Sequence, residues 1–414
     1  MPASPAPFTF PAPGELLPDT LARLRSHAPV TLVELPGGVR AWAVTGHEAL
    51  AELLAGDHKT VTRNPRHWTA LHNGDVPADW PLLPLFQGEH LQVQDGAAHR
   101  RLRSLLGRAF TPARAQALAP RIEETAAALL QAMAAAGTEA DLVTDFTEPL
   151  PIAVICALYG VPAADRAQFR PWAHVLIGHD STAEQSADAH QAMYAYLAEL
   201  VERKRREPGD DLTSQLVRVR DENGTLSDTE LVANLWLMLM AGHETTVHLL
   251  GQAILALCTD PKQRALALSE DRWADVVEET LRRHPPFQAS PFRYALTDLT
   301  LAGVDIAAGD ALLVGYGGAG TDPARYGPRA DHFDLTREQT GHLSFGHGPH
   351  YCIGAQLARL EGRIALSALF TRFPDLQLTL TLDQIPYSPS FITYGPLSLP
   401  TRLAPTPASA ATRN

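Results

Sequence analysis

The sequence contains few cysteines, no long apolar run and no excess of positive charge. Three cysteines occur in 414 residues, and an odd number so far apart excludes a disulfide framework. This usage is typical of a reducing compartment, so a cytoplasmic location is expected. A net charge of −12 argues against nucleic acid as a general partner, because phosphate binding requires a concentrated basic surface.

The apolar runs are shorter than the roughly 18 residues that a membrane-spanning helix requires. The proline-rich N-terminus also lacks the basic and apolar segments of a secretory signal. We therefore expect no membrane anchor. With 45% hydrophobic residues the chain can bury a large core, and we interpret it as one domain over residues 15–403 between flexible tails at 1–14 and 404–414.

The most informative stretch is Phe345–Gly354, which runs directly into a helical pattern. Its glycines and Pro349 favour a tight, partly left-handed loop. Cys352 would then lie where a helix begins, and unpaired N–H groups and the helix dipole favour its thiolate form. A thiolate can act as a nucleophile, a redox thiol or a metal ligand. A buried structural cysteine is the plain alternative.

These ten residues resemble the haem-binding loop of the cytochrome P450 superfamily, Phe-x-x-Gly-x-(Arg/His)-x-Cys-x-Gly, and the matching positions are Phe345, Gly348, His350, Cys352 and Gly354. The resemblance implies a mainly α-helical P450 fold, with a small β region formed by N- and C-terminal segments. Haem b would lie between the long central helix and the Cys loop, with Cys352 as the axial ligand of the haem iron.

A capping box at Ser227–Glu230 predicts the start of a long apolar helix that ends near Asp260. Its centre carries Glu244 and Thr245, which are costly to bury unless they are paired or functional. In the plain alternative, Thr245 bonds the helix backbone and Glu244 reaches water. The segment resembles the family's oxygen-binding motif, which implies that Thr245 hydrogen-bonds dioxygen and that Glu244 helps to relay protons.

The resemblance also assigns residues around the cofactor. His99 and Arg103 are four residues apart on a predicted helix, and with Arg293 and His350 they would contact the haem propionates. A charged helix surface is the usual alternative for the first pair. Further cofactor contacts are expected at Ala241 and Phe345.

Glu279 and Arg282 match a Glu-x-x-Arg motif that forms a structural network behind the haem in this family. By itself such a pair is common on helix surfaces and stabilises by only about 0.2–0.5 kcal/mol. The third partner is expected at His332. Elsewhere, Val30–Leu35 and Val39–Thr45 predict a β-hairpin, and Leu376–Leu382 and Phe391–Leu399 predict C-terminal strands.

The resemblance implies a monooxygenase that inserts one atom of O2 into a C–H bond of an apolar small molecule such as a steroid, macrolide or polyketide. Electrons would come from NAD(P)H through a separate reductase and a ferredoxin or flavodoxin-like carrier. A monomer active in secondary metabolism is expected. The proline- and tryptophan-rich segment at 61–87 either roofs the pocket or packs as an ordinary loop. Substrate contacts are expected at Leu82, Leu237, Ala241, Ala289 and Ile392.

Two other functions fit parts of the pattern. A peroxygenase would use hydrogen peroxide directly, and a haem-binding sensor would not turn over at all. Neither needs the Glu244–Thr245 pair, so its presence favours the monooxygenase.

Overall fold

The computed structural model describes residues 6–78, 80, 83, 90–108, 110–177, 182–223, 226–338 and 341–403. Helices dominate these segments. In chain order they are α1 Leu17–His27, α2 His47–Ala55, α3 Thr69–His72, α4 Gly96–Gly107, α5 Pro112–Ala117, α6 Ala119–Ala136, α7 Pro149–Leu158, α8 Phe169–Ile177, α9 Ala183–Arg206, α10 Leu212–Asn223, α11 Asp228–Thr259, α12 Pro261–Ser269, α13 Trp273–Arg283, α14 Tyr316–Gly320, α15 Pro323–Tyr326 and α16 Ala355–Arg372.

The strands are short and form three sheets. They are β1 Phe8–Thr9, β2 Val30–Leu35, β3 Val39–Val44, β4 Val61–Thr62, β5 Glu139–Asp141, β6 Ser290–Ala295, β7 Leu299–Leu301, β8 Val304–Ile306, β9 Ala311–Val314, β10 Gln377–Leu378 and β11 Pro400–Arg402. The largest sheet has the order β1-β2-β3-β9-β6-β4, so it joins the N-terminal hairpin to strands from the later part of the chain. The other two are β10-β11-β5 and β7-β8.

The long helix α11 forms the centre of the helical part. Ser227 and Glu230 make the predicted capping box, with side-chain-to-backbone bonds in both directions. The helix runs for 32 residues, or roughly 48 Å, and packs against α7, α9, α13 and α16. In the part of the chain that the structure describes, no helix combines the length and the apolar character needed to cross a bilayer.

The mainly helical fold with a small β region and the N-terminal hairpin are confirmed, but both chain ends differ from prediction. Phe391–Leu399 is not a strand: it makes only isolated bridges, at Thr393 and Pro396, and the strand β11 begins only at Pro400. Proline lacks the N–H that a ladder needs, so Pro396 interrupts pairing. At the other end, residues predicted as tail pair through β1, and Phe10 is fully buried.

A buried ion network fastens α13 to the loop after α15. Arg282 pairs with Glu279 through two bonds of 2.7 Å, and both side chains are almost inaccessible. The prediction that His332 is the third partner is wrong. Arg337 supplies the third charge, with its Nε 3.3 Å from Glu279 Oε1. His332 contributes only its backbone carbonyl to Arg282, while its exposed imidazole contacts Asp331.

We predict that Arg337→Met lowers the free energy of unfolding by about 3 kcal/mol, because it leaves the buried Glu279 carboxylate only partly compensated. His332→Ala is the matched control and should leave stability within about 0.5 kcal/mol, since it removes only an exposed side chain. Thermal unfolding of both variants checks this. Equal losses in the two variants would show that Arg337 is not the third member of the network.

Candidate active site

The loop before α16 has the predicted left-handed conformation. Gly346 and Gly348 have φ angles of 76° and 72°, which other residues rarely adopt. The turn is closed by Cys352, whose backbone N–H donates to the Phe345 carbonyl at 2.7 Å. Cys352 is exposed, although Ala355 and Leu357, which follow it, are buried. The loop therefore presents the sulfur to open space and not to the core.

The protonation of Cys352 differs from the sequence-based expectation. Burial of the surrounding site raises the pKa of the thiol, and this effect outweighs the N–H groups of Gly354 and Ala355 and the charge of Arg103, which lower it. The helix N-terminus by itself therefore does not make a thiolate here. A cation at the sulfur would supply the missing stabilisation, because metal coordination deprotonates a thiol.

A strip in the middle of α11 is left uncovered by protein. Most of this helix is buried, yet Ala241 is exposed and Leu237 and Thr245, one turn to either side, are partly exposed. Residues spaced by four share one helix face. We call Leu237, Ala241 and Thr245 the exposed strip. Thr245 follows the plain alternative in this structure, since its Oγ1 donates to the Ala241 carbonyl at 2.6 Å.

Glu244 lies beside the exposed strip and is held from two sides. Its Oε1 accepts a 2.6 Å hydrogen bond from Thr393 Oγ1, in the segment between α16 and β11. The Nε2 atom of His248, one turn along α11, is 3.4 Å from the same oxygen. The carboxylate is thus fixed by protein groups and not simply directed to water, although about a fifth of the side chain stays accessible.

Three imidazoles and one carboxylate meet near the N-terminus of α4. The ring centroids of His99 and His350 are 4.1 Å apart, and His58 lies within 5.1 Å of both rings. Asp95 Oδ1 is 2.8 Å from His58 Nε2 and 3.1 Å from His350 Nε2. Among the described residues, neither ring nitrogen of the buried His99 has a hydrogen-bond partner.

Burial and the neighbouring charges control protonation in this cluster. Burial, with His58 and Arg103 adding to it, lowers the pKa of His99 to about 4. Burial also holds the pKa of His350 far below its usual range, although its bond to Asp95 acts in the opposite direction. Both imidazoles are therefore neutral at pH 7, and each can donate one N–H.

A buried cation lies next to this cluster. Arg293 on β6 donates to both carboxylate oxygens of Asp57, at 2.6 and 3.0 Å, and both side chains are inaccessible. Its remaining atom, Nη1, is buried without a partner in the described part of the chain. Burial and the nearby charge of Arg293 lower the pKa of Arg63 to about 10. Because the positive charges of Arg63 and Arg293 repel each other, this place in the protein favours binding of an anion.

These features fit the carboxylates of a haem. The Nη1 atom of Arg293 and the two nitrogens of His99 are buried donors or acceptors that no described residue uses. Arg103 interacts electrostatically with Cys352, which links the His99 helix to the Cys loop. A haem therefore matches both ends of the site, with carboxylates near the arginines and histidines and iron near the exposed sulfur.

The predicted cofactor residues are brought together more completely than the predicted substrate residues. Ala289 and Ile392 adjoin each other, with a 3.2 Å backbone bond, but both are buried and pack within the core. Leu82 lies outside the described residues. Trp68 and Trp80 pack on Phe292 of β6, so this part of the 61–87 segment follows the ordinary-packing alternative.

Sequence reasoning missed four residues of the charged cluster: Asp57, His58, Arg63 and Asp95. The first three surround β4, and they reach the site only because β4 pairs with β6. Asp57 and Arg293 are 236 positions apart, and no local pattern links them. The one available signal was the polar run around 56–60, directly after the apolar helix α2.

Comparison with known proteins agrees with this geometry. The family model described as Cytochrome P450 matches residues 163–270 and 274–386. The 2-hydroxy-5-methyl-1-naphthoate 7-hydroxylase of Streptomyces carzinostaticus is 42% identical over 92% of this chain and 94% of its own length. The vitamin D(3) 25-hydroxylase of Pseudonocardia autotrophica is 41% identical, with 93% of each chain covered.

A solved structure with a similar fold is the testosterone-bound CYP154C4 of Streptomyces sp. ATCC 11861, with a TM-score of 0.91 and 37% identity over 96% of this chain and 98% of that chain. These relatives match this chain over nearly their whole length, and the solved structure shares its fold. The chain belongs to the cytochrome P450 family of haem-dependent monooxygenases.

Proposed function

We propose that this enzyme hydroxylates a C–H bond of a bulky, mainly apolar ring compound of the steroid or polycyclic polyketide type. The observation that carries the proposal is the exposed strip. Its central residue, the small Ala241, is exposed in the middle of a helix that is mostly buried. The named relatives act on a naphthoate and on vitamin D3, and the similar structure binds testosterone. Each of these compounds contains a rigid ring system.

Cys352 would bind the haem iron, and a group of arginines and histidines at the other end of the site would bind the haem carboxylates. Arg293, Arg103, His99 and His350 are the groups that would receive the carboxylates, while Asp57 keeps Arg293 oriented. Haem with O2 and two electrons supplies the oxidising chemistry. Phe345 stabilises the loop in two ways. Its carbonyl accepts a hydrogen bond from the Cys352 N–H, and the Arg359 guanidinium lies over its ring, 4.6 Å from the ring centroid.

Glu244 and Thr245 would deliver protons at the exposed strip. Thr393 holds the Glu244 carboxylate beside it, with His248 Nε2 3.4 Å away, so that a proton can pass from the carboxylate toward the open space. The Thr245 hydroxyl donates to Ala241, and its oxygen lone pairs can still accept a proton or a hydrogen bond. This pair favours the monooxygenase over a peroxygenase or a sensor.

Electrons would reach the enzyme from NAD(P)H through a reductase and a ferredoxin or flavodoxin-like carrier. Arg100 and Arg108, in and after α4, are exposed and offer positive charge to an acidic carrier. Arg101 is engaged with Glu230 instead. We place the enzyme in the cytoplasm as a monomer, in keeping with its three cysteines, which form no disulfide.

We predict that testosterone binds to the loaded enzyme, shifts its haem spin state and gains one oxygen atom when the enzyme receives NADPH, ferredoxin and a ferredoxin reductase. Isotope-labelled dioxygen should label the product, whereas labelled water should not. Cyclohexanol is the control for ring size and should cause a much weaker shift. The proposed function would be contradicted if cyclohexanol bound more tightly than testosterone. It would also be contradicted if the product gained labelled oxygen only from added labelled peroxide.

We predict that Thr245→Ala retains haem and the spectral response to testosterone but diverts electrons from product to hydrogen peroxide, because the hydroxyl next to the exposed strip is lost. The ratio of peroxide to NADPH consumed measures this. Thr259→Ala is a matched control, since its hydroxyl also bonds the backbone four residues earlier but lies at the end of α11. Unchanged coupling in Thr245→Ala would remove Thr245 from the proposed mechanism.

We predict that His99→Leu speeds haem transfer to apomyoglobin by about tenfold or more, the effect of one lost hydrogen bond to a charged group. The imidazole bonds no described residue, so the substitution should leave folding unaffected. Arg100→Ala, next to it and exposed, is the control. Equal transfer rates for the two variants would exclude His99 from the carboxylate site.

A further inference from the structure

The long helix carries a column of buried polar residues behind Glu244. His248 and Gln252 follow it at intervals of four residues, and they are 4% and 2% exposed. The flanking residues Val247, Leu249 and Leu250 are apolar and buried in the core. Buried polar groups are costly unless they are paired or functional, so this column requires an explanation.

The imidazole of His248 is confined to one position. A Cβ atom at Gly395 would come within 2.2 Å of its Nδ1, so the segment from Thr393 to Gly395 closes directly over the ring. Neither ring nitrogen makes a hydrogen bond with any described residue. Its Nε2 lies 3.4 Å from Glu244 Oε1. A contraction of a few tenths of an ångström would make this contact a charge-assisted hydrogen bond.

Other ionisable groups also act near this pair. His243 lies on the same helix, and its Nε2 is 3.2 Å from the backbone carbonyl of Glu148 at the start of α7. Burial lowers the pKa of His243, while the charges of Glu148 and Glu244 raise it. His243 therefore faces α7, whereas His248 faces the Thr393–Gly395 segment. Of the two imidazoles, His248 is the one in position to exchange a proton with Glu244.

We infer that His248 acts through Glu244 as a proton donor: it returns a proton to Glu244 after Glu244 has released one toward the exposed strip. The inference rests on the proposed role of Glu244. In this step the N–H bond at His248 Nε2 breaks and an O–H bond forms at Glu244 Oε1, so imidazolium and carboxylate become imidazole and carboxylic acid. Between turnovers the partly accessible Glu244 carboxylate takes protons from solvent water, and one of them passes through Glu244 Oε1 to His248 Nε2. No oxidation or reduction of either side chain is involved.

Two substitutions separate proton return from simple orientation. His248→Gln keeps an N–H donor near Glu244 but cannot carry a proton at neutral pH, whereas His248→Leu removes both properties. Gln252→Leu removes a buried amide one turn further on and is the matched control. Haem content and thermal midpoint are measured for all three variants, so that a misfolded protein is recognised.

The main measurement is the ratio of hydrogen peroxide released to NADPH consumed, with testosterone present to fill the pocket. We expect both His248 variants to raise this ratio several-fold and Gln252→Leu to leave it unchanged. If His248→Gln matches the wild type while His248→Leu does not, His248 only orients Glu244 and the inference is overturned. If neither His248 variant changes the ratio, it is overturned as well.

Glu244→Gln distinguishes failure of the inference from failure of the proposed function. If Glu244→Gln leaves the peroxide ratio unchanged, the role of Glu244 itself is wrong. If Glu244→Gln raises the ratio and His248→Gln adds nothing to it in the double variant, the two residues act in one path. The infrared carboxyl band that disappears in Glu244→Gln gives an independent readout, and its intensity should change in His248→Leu.

Discussion

The site depends on the buried ion pair between Asp57 and Arg293. It joins the segment after α2 to strand β6, with both side chains inaccessible to solvent. Two bonds fix the guanidinium plane, which leaves Nη1 directed away from Asp57. Replacing one partner would leave an uncompensated buried charge, at a cost of about 3–5 kcal/mol. The position of the carboxylate-binding groups therefore follows from the way the sheet is assembled.

The second constraint is the electrostatic environment of Cys352. The sulfur is accessible, but desolvation by the protein that surrounds it raises the pKa of the thiol, even though two backbone N–H groups and two arginines act in the opposite direction. Without a metal ion the protein therefore keeps the thiol protonated, and a haem iron at the sulfur would supply the charge that stabilises the thiolate. On the opposite side of the site, α11 supplies Glu244 and the exposed strip. In the function that we propose, these two halves would provide the metal ligand and the proton path.

Much of this was predictable from local patterns. The capping box at Ser227, the hairpin and the left-handed glycines of the Cys loop depend on neighbours in sequence, and each was found where expected. Failures occurred where tertiary pairing decides the outcome. Arg337 replaced His332 because the fold of the loop after α15, and not spacing from a motif, determines which side chain reaches Glu279. The Asp57–Arg293 pair could not be predicted from the sequence for the same reason.

The most direct test of this account is the absorption spectrum of the reduced enzyme with carbon monoxide. A haem ligated by the Cys352 thiolate predicts a strongly red-shifted Soret band, retained in Cys156→Ser and Cys258→Ser and lost in Cys352→His. An unshifted band in the wild type would mean that the thiolate is not the ligand. A red-shifted band in Cys352→His would contradict the assignment of the axial ligand to this residue.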